Sequence, residues 1–132
     1  MFRNPLFIVT SLGLFFALLL VPVGTQGDET VDFQTDVWPI LERSCLQCPG
    51  PMESFSNLRM DSAERILKGG DLGKILVPGE PENSPMYVRV SLPADDLDLM
   101  PVEGDPLTEE EVEVIRKWIA AGADFGGWTQ AD

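Results

Sequence analysis

The 132-residue sequence contains no histidine, and this absence excludes several kinds of functional site. Without an imidazole the chain has no Ser-His-Asp or Cys-His catalytic group, no His-ligated zinc and no ordinary side chain that titrates near neutral pH. Most classes of enzyme depend on one of these groups, so we expect that the protein is not an enzyme.

Basic residues are also scarce, because nine Lys and Arg stand against 22 Asp and Glu and give a formal net charge of −13. Nucleic acids and anionic membrane surfaces are bound through basic groups. We therefore expect no nucleic-acid binding, and no membrane attachment except through the N-terminal segment. A chain of this length supports one modest domain.

One long apolar run is present, from residue 6 to residue 23, and it follows the single charge of Arg3. This arrangement is typical of a secretory signal peptide, and the small and polar residues that follow favour cleavage after Gly27. Retention as a membrane anchor is the alternative, because a helix over this run would be about 27 Å long. We expect residues 1–27 to be the signal peptide or anchor, and residues 28–132 to form an exported domain in the periplasm or cell envelope.

Apolar spacing and capping residues predict four helices in the remainder of the chain. The first spans about 36–46, with Asp36 as its N-cap and Pro39 inside its first turn. The second begins after Asp61 as N-cap and stops at Gly69 and the glycine that follows it.

The third predicted helix begins at Ser84, which a proline follows, and ends by Pro93. The last helix has the clearest signals. Thr108 and Glu111 form a capping box at its start, and Gly122 ends it.

The segment 75–79 is too isolated to indicate a sheet, so four helices joined by long loops predict an all-α domain. The loop 93–106 contains three prolines and is long for so small a domain. Long loops in compact domains are more often functional than idle. Its acidic residues show no metal-binding spacing, and we interpret them as solvated.

The two cysteines, Cys45 and Cys48, form a C-x-x-C motif at the end of the first predicted helix. A thioredoxin-like redox pair requires a βαβ context and a helix start, and neither is predicted here. A metal site would hold only two thiolates and no imidazole. Covalent haem attachment uses two thiols followed by a histidine that binds the iron, but the next residue is Pro49.

Several short blocks follow one another in a fixed order along the chain. They are Val31-Asp32-Phe33, Val37-Trp38-Pro39-Ile40-Leu41, Cys45 to Cys48, Gly50-Pro51, Leu58 to Ala63, Val77 to Pro85, Met100-Pro101, Leu107 to Glu111 and Trp118 to Ala123. In content and order these blocks resemble the planctomycete-type cytochrome c domain, a small c-type cytochrome family. The resemblance covers residues 31 to about 125.

The resemblance implies a small helical, cytochrome-c-like fold in which the first and last helices pack across each other and enclose the haem. It implies that Cys45 and Cys48 attach haem c, and that Met100 is the distal ligand of the haem iron. The family places the proximal histidine directly after the second cysteine. Here Pro49 occupies that position, and proline offers no lone pair to iron.

Two functional hypotheses follow. The first is an exported c-type cytochrome domain that binds haem and transfers single electrons, with its acidic surface steering a redox partner protein that has a basic surface. The second is a haem-free descendant of the same fold, in which Cys45 and Cys48 close as a disulfide and the domain serves as a structural or interaction module. Pro49 favours the second hypothesis, whereas the family resemblance favours the first.

Overall fold

A computed structural model of the chain describes residues 30–46 and 57–129. The helices of these ranges are α1, which joins the turns Phe33–Val37, Trp38–Leu41 and Glu42–Leu46, then α2 (Ala63–Lys68), α3 (Pro85–Val90) and α4 (Glu109–Ala120), with a 3-10 turn at Pro81–Asn83. Neither range contains a strand, and an isolated bridge joins Gly70 to Gly73. The prediction of an all-α domain is confirmed. The signal or anchor segment 1–27 lies outside the described residues, so its boundary stays a prediction.

Helix α1 begins three residues earlier than predicted, because Asp32 and not Asp36 is its N-cap. The Asp32 carboxylate accepts the backbone N–H of Thr35 at 2.9 Å, and the Asp36 carboxylate accepts the backbone N–H of Asp32 at 2.8 Å. Each of the two carboxylates therefore accepts one backbone N–H at the start of the helix, which is similar to the pattern of a capping box. Two acids at this spacing are both able to cap, and the apolar pattern alone did not distinguish them.

Pro39 lies in the interior of α1 and not in its first turn. The helix accommodates it through a change of hydrogen-bond spacing, because the turns on both sides have π geometry and the Trp38 N–H bonds to the carbonyl of Phe33. Wide turns of this kind occur where a regular ladder is interrupted, and proline removes one donor from that ladder. The helix thereby continues to Leu46, as predicted.

Helix α2 begins after Ser62, whose hydroxyl accepts the backbone N–H of Arg65. The predicted cap, Asp61, instead accepts hydrogen bonds from two arginine side chains. Gly69 ends the helix as predicted. It has a φ of +77°, and a Cβ there would collide with the backbone of Gly73, so both the conformation and the close approach require glycine.

The core lies where the start of α1 meets the end of α4. The ring of Phe33 is 5.1 Å from that of Trp118, 4.7 Å from that of Phe125 and 5.0 Å from that of Trp128. The Trp118 indole N–H donates to the carbonyl of Asp124 at 2.7 Å, so burial of this large ring leaves no unpaired donor. Around this cluster the core is completed by aliphatic side chains, among them Val37, Leu41, Ile66, Leu76, Ile115 and Ile119.

The other ends of α1 and α4 are joined by an ion pair. An amino group of Arg43 lies 2.7 Å from the carboxylate of Glu111, which also accepts the backbone N–H of Thr108 at 2.9 Å. The capping box of α4 is therefore confirmed, and Gly122 follows the helix end with a φ of +106°. Since Phe33 meets Trp118 at one end and Arg43 meets Glu111 at the other, the first and last helices pack against each other, as the resemblance implied.

A buried serine fixes the segment between α2 and α3. Ser84 begins α3 as predicted, but its side chain does not cap that helix. Its hydroxyl accepts the backbone N–H of Val77 at 2.9 Å and lies within hydrogen-bonding distance of the carbonyl oxygens of Glu80 and Val77. The Gly79 N–H then donates to the carbonyl of Ile119 at 2.8 Å. The segment is thereby held against the end of α4.

No helix among residues 30–46 and 57–129 has both the length and the apolar character needed to cross a bilayer.

Replacing Ser84 with alanine should lower the free energy of unfolding by about 2 kcal/mol, because the partly buried N–H of Val77 loses its acceptor. Urea denaturation monitored by circular dichroism measures this loss. The matched control is Ser91→Ala, which removes an exposed hydroxyl bonded to the carbonyl of Val88 and should cost less than about 0.5 kcal/mol. Equal losses in the two variants would contradict the role given to Ser84.

Glu111→Gln should lower stability at pH 7 by about 1 kcal/mol, because the variant loses the charge that faces Arg43. Burial by itself raises the pKa of Glu111, but the Thr108 N–H and Arg43 outweigh it and hold that pKa below its ordinary value of 4.5. A lowered pKa stabilises the fold above the ordinary value, and this stabilisation is lost as the pH falls through the lowered pKa.

Urea titrations of wild type and Glu111→Gln between pH 7 and pH 3 should therefore converge at the acid end. Glu110→Gln is the matched control, because Glu110 is exposed and forms no ion pair with a described residue. It should show a smaller difference from wild type. A difference between wild type and Glu111→Gln that stays constant down to pH 3 would exclude the charge as its cause.

Candidate functional site

Cys45 lies near the C-terminal end of α1, one turn after Leu41. Leu41 is almost fully buried, and Cys45 is half-buried against the same core. The helix therefore presents the sulfur of Cys45 to the interior side of the domain. Cys48 and Pro49, the other two predicted residues of the motif, lie outside the described residues.

Met100 lies in the predicted loop, which is confirmed as irregular. Its side chain is half-buried against the same core, and its backbone N–H donates to the carbonyl of Arg89 in α3 at 3.0 Å. The preceding residues form successive tight turns, with hydrogen bonds from Asp96 to Pro93 and from Leu99 to Asp96. The loop is thus fixed to α3 at the position of the predicted ligand.

Cys45 and Met100 therefore pack against one core although 55 positions separate them in the sequence. One brings a thiol and the other a thioether, which are the attachment group and the distal ligand implied by the resemblance. Their roles toward iron stay predictions, because the packing alone does not assign them.

The remaining methionines and tryptophans divide as follows. Met86 is buried and Met60 is half-buried, both against the core, so both are packing residues. Trp118 is buried in the core. The sequence did not place Trp38 and Trp128, whose rings pack 4.5 Å apart and extend the aromatic cluster toward the surface. Met52 lies outside the described residues.

Asp61 accepts hydrogen bonds from two arginine side chains near the start of the described range 57–129. Its Oδ2 atom accepts hydrogen bonds at 2.6 Å from both Arg59 and Arg65. Burial by itself raises the pKa of Asp61, but these two bonds outweigh it and lower the pKa below 3.8. The Oδ1 atom is buried and accepts no hydrogen bond from the described residues. The sequence analysis missed this cluster, because the same spacing of Arg59, Asp61 and Arg65 is also typical of the start of an ordinary helix.

Arginine side chains are able to bind a carboxylate such as a haem propionate bidentately. Three arginines have an acidic partner within the chain, because Arg43 pairs with Glu111 while Arg59 and Arg65 share Asp61. In residues 30–46 and 57–129 no three acidic or cysteine side chains converge on a point that would hold a metal ion. The acidic side chains of the 93–106 loop are exposed, as predicted.

The donor set fits haem c in two respects and fails in a third. A thiol at the end of α1 suits covalent attachment, and the thioether of Met100 suits one axial position of the iron. An imidazole for the opposite position is missing, because the whole chain contains no histidine. The residues therefore support attachment and sulfur ligation but not the usual His–Met pair.

Comparison with protein families gives a match to the planctomycete cytochrome C model at residues 45–104. The matched segment begins at the first cysteine of the motif, includes α2 and α3, and ends shortly after Met100. Searches of curated proteins and of solved structures gave no match. Cytochrome c domains are electron carriers that bind haem and are not typically enzymes. The family match confirms the resemblance found in the sequence, and residues 45–104 are similar to the planctomycete-type cytochrome c family.

Proposed function

We propose that this chain is an exported c-type cytochrome-like domain with a degenerate C-x-x-C-Pro motif, and that it transfers single electrons. The observation that carries the proposal is the family match, which runs from Cys45 to just beyond Met100. The half-burial of both residues against the core is compatible with it, because a sulfur that binds a cofactor inside the domain must not face open solvent. The apolar run at residues 6–23 supports export to the periplasm or cell envelope.

In this proposal Cys45 and Cys48 would hold the porphyrin through thioether bonds, and the thioether of Met100 would bind the iron. Haem c, when bound, supplies a one-electron couple. The chain's own residues provide its surroundings: α1 positions the first cysteine, and the Met100 N–H bond to Arg89 positions the loop. The acidic surface favours a redox partner with a basic surface, since opposite charge accelerates encounter.

A specific observation favours a second function. Pro49 replaces the proximal histidine, and the core of the described residues is filled by the chain's own side chains, with Phe33 and Trp118 each only 1% exposed. The contacts among these buried rings are made within the chain itself. In this alternative Cys45 and Cys48 form a disulfide, and the haem-free domain serves as a structural or interaction module.

Covalent haem is tested on the exported product of the full-length gene, expressed with a haem-coupling system. The proposal predicts visible haem absorbance and a mass increase of one haem, both absent from the Cys45→Ser/Cys48→Ser control. Pro49→His should load more completely than wild type, because it restores an imidazole opposite Met100. A wild-type mass lowered by two hydrogens, with no visible absorbance, would replace the proposal with the disulfide-closed alternative.

Met100→Leu and Met100→Ala test the distal ligand in whichever of the wild-type and Pro49→His proteins carries haem. Both should remove the thioether-to-iron absorption band and lower the reduction potential, because thioether ligation raises it. Met86→Leu is the matched control, since it changes a buried methionine of α3 and should leave band and potential unchanged. An unchanged spectrum in Met100→Leu would limit Met100 to a packing role.

A further inference from the structure

An open groove lies between the end of α3 and the start of α4, and neither Cys45 nor Met100 lines it. Its volume is about 310 Å³, and its apolar walls are formed by Val90, Leu92, Leu107 and Val112. The last three of these side chains are only half-buried. Pockets for small molecules commonly measure ~300–1,000 Å³, so this groove suits one or two side chains better than a larger ligand.

The groove lies in the most acidic part of the chain. Residues 90–115 contain nine of the 22 Asp and Glu and no Lys or Arg. Three of the nine have an arginine partner, namely Asp98 with Arg89, Glu111 with Arg43 and Glu113 with Arg116. The other six form no ion pair with a described residue, and they are Asp95, Asp96, Glu103, Asp105, Glu109 and Glu110. Glu109 and Glu113 lie on the rim of the groove itself.

We propose that this groove is a docking site for a basic segment of a partner protein. One aliphatic or aromatic side chain of the segment fills the space between Leu92, Leu107 and Val112. Its Lys or Arg side chains face Glu109 and the acidic loop that leaves from Leu92 and returns at Leu107. An apolar anchor surrounded by polar contacts is the usual arrangement of a binding hot spot.

Charge favours a basic partner over the other possible occupants, which are a second copy of this chain and the chain's own residues 1–29 and 47–56. A second copy would bring another net charge of −13 to the same surface, and like charges oppose that contact. The chain's own residues 1–29 contain a single basic residue, Arg3, and they lead into α1 at the far end of α4, where Phe33 meets Trp118. Residues 47–56 contain no basic residue. A basic partner satisfies both the apolar walls and the unpaired acids.

The inference rests on the proposed function for its basic partner, and it adds the surface on which that partner docks. The apolar walls of the groove include no residue that is assigned a role toward haem, although the acidic loop beside them carries Met100. Docking is therefore expected in haem-loaded and haem-free protein alike. Protein prepared with and without a haem-coupling system should give the same affinity for a basic partner, so a failed absorbance test leaves this inference standing.

The test uses three synthetic peptides, Lys-Lys-Leu-Leu-Lys-Lys, Lys-Lys-Ser-Ser-Lys-Lys and Glu-Glu-Leu-Leu-Glu-Glu, titrated into the isotopically labelled exported protein. Nuclear magnetic resonance should show that the first peptide binds most tightly and shifts the methyl signals of Val90, Leu92, Leu107 and Val112. Its affinity should fall as salt rises. The second peptide should bind at least about tenfold more weakly, and the third should not bind.

Variants of the groove residues separate the apolar contribution to peptide affinity from the electrostatic one. Leu107→Ser should weaken the Leu-containing peptide about tenfold, and Glu109→Lys combined with Glu110→Lys should weaken it and flatten its salt dependence. The matched controls are Leu72→Ser, an exposed leucine elsewhere, and Glu64→Lys on α2, which should stay within about twofold of wild type.

Three results would overturn the proposal. They are equal binding of the Leu and Ser peptides, methyl shifts outside the groove, and self-association of the protein that protects the groove without any peptide. Titration of the wild type alone decides the first two, so the proposal stays falsifiable even where Leu107→Ser fails to fold.

Discussion

The packing of Phe33 against Trp118 is the contact on which the rest of the domain depends. It brings the start of α1 to the end of α4 and closes the chain over more than eighty residues. Trp118 is held by its own hydrogen bond to Asp124, and Phe125 and Trp128 pack around the same ring. Large aromatic side chains contribute most of the buried area in so small a core. With the two terminal helices fixed, the segment before α3 attaches to α4 through the Gly79 N–H.

The fold and the ligand set are under different constraints. The helices depend on caps, apolar faces and the aromatic cluster, to which Cys45 adds only a half-buried side chain near the end of α1. The proposed haem ligation depends on a few donors, and Pro49 stands at the position where the family resemblance implies one of them, a histidine. A change of a single donor therefore alters the chemistry of the site while leaving the helical framework intact. This separation explains why a chain without histidine keeps the arrangement of a cytochrome c domain.

The sequence predicted what is decided locally. The capping box of Thr108 and Glu111 and the glycine stop at Gly69 were correct, because each depends on residues within one turn. The caps Asp32 and Ser62 were missed, since an equally suitable acid stood close by in each case. The ion pair of Arg43 with Glu111 and the contact of Trp38 with Trp128 join distant positions, and no local pattern indicates such partners. Cys45 and Met100 were singled out through the family blocks, whereas their half-burial against the core required the structure.

The hydrogen bond from the Met100 N–H to the carbonyl of Arg89 is a bond between backbone atoms, and it is therefore indifferent to the side chain at position 100. Any residue other than proline can make it. A substitution at this position can therefore leave the attachment of the loop to α3 in place, so selection on that attachment does not protect the methionine. In lineages that no longer need a sulfur ligand, the loop is expected to keep its attachment to α3 after the methionine has been replaced.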